Sequence, residues 1–242
     1  MSARFRLALF VPGAAGLAAL LLWGFAGLPS FGDYGHAYGT VVNRVELTER
    51  HATNVVSAVV FDYRGVDTMG EELILFAAAV GIALLLRAIG PAEVGKPRER
   101  VQSEALRAVG LVAMPVVVLL GLQLVAHGYL TPGGGFQGGV VLGGGLLLVY
   151  LAGEYRAFCR AAPKPLVDFA EGVGAGGFVA LGLVSLALGY TFLRNFLPLG
   201  TSGDLLSAGS ISLVNWAAGL EVAAALVLIM IEFLEEVMEE RR

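Results

Sequence analysis

Six stretches of this chain stay apolar for about twenty residues at a time, which is what a helix needs to cross a hydrocarbon core. They run roughly over 5–27, 71–90, 107–127, 134–153, 172–192 and 211–234. In lipid the backbone must satisfy its own hydrogen bonds, so runs of this kind fold as helices. Composition agrees with that reading: 57% of the 242 residues are hydrophobic, 15% are charged, and the mean hydropathy is +0.76. Soluble domains carry about 25% charged residues. Arg4 and Arg6 precede the first run as they would in a signal peptide, but the run is too long for a signal h-region and no A-x-A site follows. The expected fold is an all-α integral membrane protein with six transmembrane helices.

Lysine and arginine in the short connections set the orientation. The second connection carries Arg87, Lys96, Arg98, Arg100 and Arg107, the fourth carries Arg156, Arg160 and Lys164, and both chain ends are basic. The turn between runs three and four has no basic residue, and that between five and six has only Arg194. Both termini are therefore expected in the cytoplasm, with residues 28–70 outside. Within that external segment Val55, Val56, Val59, Val60 and Tyr63 recur at helical spacing. This predicts a short amphipathic helix lying in the outer interface or against a partner. The chain ends in Glu235, Glu236, Glu239 and Glu240, a solvated helix end.

Several functions are excluded at this level. The single cysteine, Cys159, falls on the cytoplasmic side and rules out an intrachain disulfide framework or a cysteine zinc cluster. His36 and His51 make no recognisable metal site. No Ser/His/Asp or Cys/His set points to an enzyme, and no basic patch with interleaved aromatics points to nucleic acid. No cofactor and no metal are expected.

The stretch HGYLTPGGGFQGGVVLGGG, residues 127–145, contains G-x-G-x-x-G at Gly133, Gly135 and Gly138. That fingerprint binds dinucleotides only between a strand and a helix, and here apolar helices flank it on both sides. Pro132 and the glycines read instead as a sharp turn. Beyond it Gly135, Gly139 and Gly143 are spaced by four, a flat ridge that lets helix backbones approach closely in lipid. Gly172, Gly176 and Ala180 repeat the spacing on the fifth helix. Each ridge calls for a neighbour, in this chain or in another subunit.

Residues 127–145 resemble the signature region of the B subunit of Mrp-type (Mnh) multisubunit Na+/H+ antiporters. Residues 54–87, NVVSAVVFDYRGVDTMGEELILFAAAVGIALLLR, resemble a second segment of the same complexes. That segment often lies at the carboxyl end of the large A subunit and has counterparts in membrane-bound hydrogenases. The resemblance divides the chain into an A-end-like part over 1–100 and a B-subunit-like four-helix part over 101–242. It implies a non-catalytic, multi-pass subunit in a prokaryotic cell membrane, with other complex subunits, lipid, Na+ and H+ as partners. It leaves open a redox-driven complex of the hydrogenase type, or a purely structural role in assembly.

Among polar residues Glu221 is the sharpest candidate, lying midway along the last helix with no acidic residue nearer than Glu232. An ionisable group at that depth is costly and marks a functional site by default, although a Glu that holds a neighbouring subunit reads equally well. Asn215 and Gly219 would extend it into a polar seam. A second cluster, Asp62, Arg64, Asp67, Glu71 and Glu72, sits where the outer segment enters the second helix. Asp67 or Thr68 serves there either as helix N-cap or as part of an ion site; Glu71 and Glu72 would attract cations to an outer mouth, and Arg64 would pair with Asp62 or Asp67. The third site is Gln123 with His127, one turn apart, where His127 either relays protons or hydrogen-bonds a loop carbonyl. Pro115 is expected to kink the third helix.

Overall fold

The computed structural model describes residues 3–28, 37–87 and 103–240, and within them the chain forms helices and loops without a strand. Lys96, Arg98, Arg100 and His36 lie outside the described residues, as do the side chains of Arg4, Arg6, Arg87, Glu236, Glu239 and Glu240. The chain divides into two compact units, Met1–Thr40 and Val41–Arg242. The first contains α1 (Ala3–Ala26), 24 residues long. Five helices among the described residues are long and apolar enough to cross a membrane, and all belong to the second unit. These are α4 (Gly65–Arg87), α5 (Glu104–Ala126), α6 (Gly135–Ala161), α7 (Lys164–Ala187) and α8 (Ser210–Glu240).

Local chemistry sets several of the boundaries. Ser103 caps α5 by accepting from Leu106 N at 3.4 Å, and α5 then runs on through Pro115. Pro163 and Pro165 flank Lys164 at the start of α7, where a missing N–H costs no helical bond. Helix α6 continues past residue 153, but Glu154 interrupts it with φ 68° and ψ 174°, so it is two helical pieces joined at that residue.

The segment before α4 is richer in structure than its pattern suggested. It holds α2 (Ala37–Glu49), then a single α turn, α3 (Val55–Ala58), which widens into a π-helical turn over Val59–Tyr63 before α4 begins. The stretch 55–63 is helical as expected, but as an α turn that widens into a π turn. The residues turned inward are Ser57, Ala58 and Phe61, while Val56 is exposed and the other valines are half-buried. Widening the turn rotates the face, so the 3.6-residue stripe of valines does not become the packed side.

Helix α8 is central to the second unit: α4, α6 and α7 all pack against it, and α5 packs mainly on α6. Two apolar clusters fill the interior. One lies at the glycine-turn end, around Ala58, Phe61, Tyr129, Phe178, Ile211 and Val214. The other lies at the α6–α7 end, around Ala79, Ala83, Phe158, Val167, Leu228 and Ile231. On each of α4, α7 and α8, one buried glutamate falls in the stretch of helix between the two clusters: Glu72, Glu171 and Glu221.

Glycine decides how closely these helices meet. A Cβ on Gly139 would sit 2.8 Å from Gly219 O and from Val222 Cβ, and Gly135 and Gly143 likewise face α8. One turn round, Gly138 and Gly145 face α5, where a Cβ on Gly138 would lie 2.7 Å from Val125 N. Helix α6 thus presents glycine to two neighbours at once. Gly172 and Gly176 have open space around them and are exposed, so among the described residues that ridge meets nothing. The inward glycines of α7 are Gly174 and Gly182.

Candidate functional site

The turn after α5 is held by side chains from two distant parts of the chain. Asn54 caps α3 by accepting from Val56 N, and its Nδ2 donates to the carbonyls of Gly128 at 2.6 Å and Thr131 at 3.0 Å. Ser57 Oγ donates to Gly128 O at 2.6 Å, and Thr53 Oγ1 to Leu130 O at 2.5 Å. From α8, Asn215 accepts from Gly135 N at 2.5 Å and donates to Val125 O. The carbonyl of Val125 near the end of α5, three carbonyls of the turn and the first N–H of α6 are thereby satisfied by protein. His127 belongs to this turn: its Nδ1 lies 3.2 Å from Gln123 O, and its own carbonyl accepts from Leu130 N and Thr131 N. Loop capping describes that geometry.

The acidic cluster at the start of α4 separates into different destinations. Asp62 is ion-paired with Arg50 and accepts from Asn195 N at 3.2 Å. Asp67 pairs with Arg64, both of them exposed. Because α4 begins at Gly65, neither Asp67 nor Thr68 is its N-cap; Asp67 lies in the first turn, at the positive end of the helix dipole. Glu71 is exposed, whereas Glu72, the next residue, is 1% exposed and points into the interior.

Inside, Glu72 meets Glu221, which is fully buried on α8. The two carboxyls lie against each other, yet none of their four oxygens makes a well-formed hydrogen bond to a described group. A buried polar atom without a partner costs about 1–3 kcal/mol, more if charged. Two carboxylates side by side in so dry a setting persist only with positive charge shared between them, a proton or a cation. A cavity of about 210 Å³ at the glycine-turn end reaches Glu72. Glu72 forms part of its wall with Glu71, Ser57, Thr68, Gln137 and the backbone of Gly133 and Gly134. At about 30 Å³ per molecule, it has room for several waters.

Sequence reasoning missed Glu171. It is 3% exposed on α7, its Oε1 has no partner among the described residues, and the charges of Asp168 and Glu221 reach it. The apolar runs gave little sign of it, because the fifth was placed over 172–192 and the helix starts at Lys164. Spacing within α7 would have found it: Lys164, Glu171, Phe178 and Ser185 recur every seven residues and share a face. Near the start of α7, Lys164 pairs with Glu232 at 2.7 Å and with Glu235 at 3.4 Å, and Tyr155 Oη donates to Glu235 at 2.8 Å. Glu232 is 2% exposed, so this pair is largely sheltered.

A second cavity of about 610 Å³ opens beside the loop between α7 and α8, lined by Arg50, Asp62, Tyr63, Arg194 and Asn195 among others. Within it Arg50 pairs with Asp62 and stacks on Tyr63, and Arg194 stacks on Tyr190. Burial and a hydrogen bond to Glu49 push the Tyr63 hydroxyl up to about 12, so it remains a neutral donor. Among the described residues no group of three or more His, Cys, Asp or Glu is arranged to hold a metal ion.

Residues 105–228 match a family described as a domain related to the MnhB subunit of Na+/H+ antiporter, and residues 9–101 match the MbhE family, the E subunit of MBH. A protein of uncharacterised function from Methanocaldococcus jannaschii is 31% identical over 210 residues, 76% of this chain and 78% of that one. A probable K+/H+ antiporter A/B subunit from Rhizobium meliloti is 30% identical over 170 residues, 61% of this chain but 17% of the relative. A chain of the membrane-bound sulfane sulfur reductase, an archaeal respiratory membrane complex, aligns with TM-score 0.73 and 30% identity. The alignment covers 95% of this chain and 98% of that chain. A chain of the Mrp complex from Dietzia sp. aligns with TM-score 0.68 and 23% identity over 96% of this chain and 26% of its own length. The stretches 54–87 and 127–145 fall inside the two matched segments.

Proposed function

We propose, from the premise that this chain belongs to the family related to the MnhB subunit of Na+/H+ antiporters, that it handles ions within a multisubunit cation/proton antiporter. It is a multi-pass membrane protein. The Glu72–Glu221 pair is its ion-handling centre, the cavity beside Glu72 is the access to it, and cation and proton compete for the paired carboxyls. The proton-motive force would drive the exchange, as secondary transport, and the chain would catalyse no covalent reaction. The observation that carries this reading is the set of four unpartnered carboxyl oxygens on Glu72 and Glu221, with Glu72 in the wall of a cavity of about 210 Å³. With both termini cytoplasmic, that cavity opens outward. In the same reading, the segments over 1–100 and 101–242 are modules of two antiporter subunits carried on one chain.

One observation favours a second reading, in which the same module serves a redox-driven complex. The sulfane sulfur reductase chain is matched over 98% of its length, whereas the antiporter chains are matched over only 26% and 17% of theirs. Purification in mild detergent separates the two: large antiporter-like subunits alone support the antiporter, and iron–sulfur subunits support the redox complex. Glu221→Gln tests the ion centre in either complex. Expected is normal co-purification of the partners with Na+-dependent proton movement in proteoliposomes reduced on the order of a hundredfold. Unchanged proton movement would leave the chain with a structural role only.

A further inference from the structure

Beyond the Glu72–Glu221 pair, we propose that Glu171 is the station through which protons, and only protons, leave that pair towards the α6–α7 end. This rests on the ion-handling role given to Glu221. Helices α7 and α8 run antiparallel, with Gly174 against Glu221, Gly177 against Ala217, and Lys164 against Glu232. In that register Glu171 lies opposite Ala224, about 4.5 Å along the axis from Glu221 on the side of Lys164. It is buried, its Oε1 faces no partner, and Glu221 is one of the two acidic groups whose charge reaches it. The other is Asp168, on the exposed face of the same helix.

Size separates the two ions. At the glycine-turn end the cavity can hold a cation with part of its water shell. At Glu221 the two helices are in backbone contact: a Cβ on Gly174 would lie 2.5 Å from Glu221 N and 2.7 Å from its Cα. No oxygen shell fits through such a contact, but a proton needs only a carboxyl on either side. In the transfer the O–H bond of Glu221 breaks as one forms on Glu171, and Glu221 is left free to take the next proton or cation from Glu72. Between Glu171 and the Lys164–Glu232 pair stand Val167 and Leu228, both buried. That layer keeps the route closed until water or a side-chain movement bridges it.

The test uses the chain with its co-purified partners in proteoliposomes, following proton flux against Na+ concentration. Glu171→Gln is expected to lower the maximal rate on the order of tenfold to a hundredfold while leaving the half-saturating Na+ concentration unchanged. Glu171→Asp is expected to restore much of the rate with an altered pH profile. A wild-type rate in Glu171→Gln beside a dead Glu221→Gln overturns the role of Glu171 and leaves the ion centre standing; wild-type rates in both overturn both. If Glu171→Gln fails to assemble, Glu171→Asp decides: a pH profile identical to wild type overturns the proposal.

Discussion

The glycine turn and the carboxyl cluster both bury polar groups in an apolar helix bundle, and they treat them in opposite ways. At the turn, Asn54, Ser57 and Asn215 meet the carbonyls of Gly128, Thr131 and Val125 and the N–H of Gly135. In the cluster, Glu72, Glu221 and Glu171 leave five oxygens without a partner. A satisfied network fixes geometry; an unsatisfied one is a standing cost that persists where something mobile supplies the missing charge. In the proposed function the turn is the frame and the cluster the working part, although in sequence the turn is the more conspicuous.

Substitutions can break or sharpen this contrast. The largest effect is expected within the frame, at Gly139→Val. Its side chain has to push α6 and α8 apart, and overpacking of this kind costs about 1–3 kcal/mol or more. Loss of the folded chain in detergent, read by thermal unfolding, is the expected result, whereas Gly172→Val should melt like wild type because that position is open. Asn215→Ala comes next. It strands Gly135 N, at about 1–3 kcal/mol for a buried group, and leaves Val125 O with backbone donors such as Gly128 N; transport should fall only in proportion to folded protein. Glu221→Gln is the mirror image, with transport lost and the melting temperature unchanged or raised, since a buried ionisable group is removed. If Asn215→Ala and Glu221→Gln behave alike, the division into frame and working part fails. The smallest effect belongs to Asp67→Asn: its pair with Arg64 is exposed and worth less than about 1 kcal/mol, and proton flux should stay within about twofold of wild type.

The carboxyl pair was only half legible. Glu221 stood out because it is alone in a long apolar run, and depth in the membrane follows directly from position in that run. Glu72 looked like one more member of a boundary cluster with Asp67 and Glu71. Adjacent residues on a helix point about 100° apart, and only the packing of α4 on α8 turned Glu72 inward and left Glu71 at the cavity mouth. The glycine ridges carry the same lesson. Gly135–Gly139–Gly143 and Gly172–Gly176 have identical spacing, yet the first lies against α8 and the second against nothing among the described residues.

By itself the sequence determined that the chain is helical and membrane-spanning, because the apolar runs leave the backbone no other way to satisfy its hydrogen bonds. It also determined the family, because two long stretches, 54–87 and 127–145, carry it in order. Which carboxyls meet, which glycines touch and where a cavity opens was decided by tertiary structure alone. Periodicity along one helix says which residues share a face, while the partner of that face is set by helices far away in the chain, as Glu72 and Glu221 illustrate.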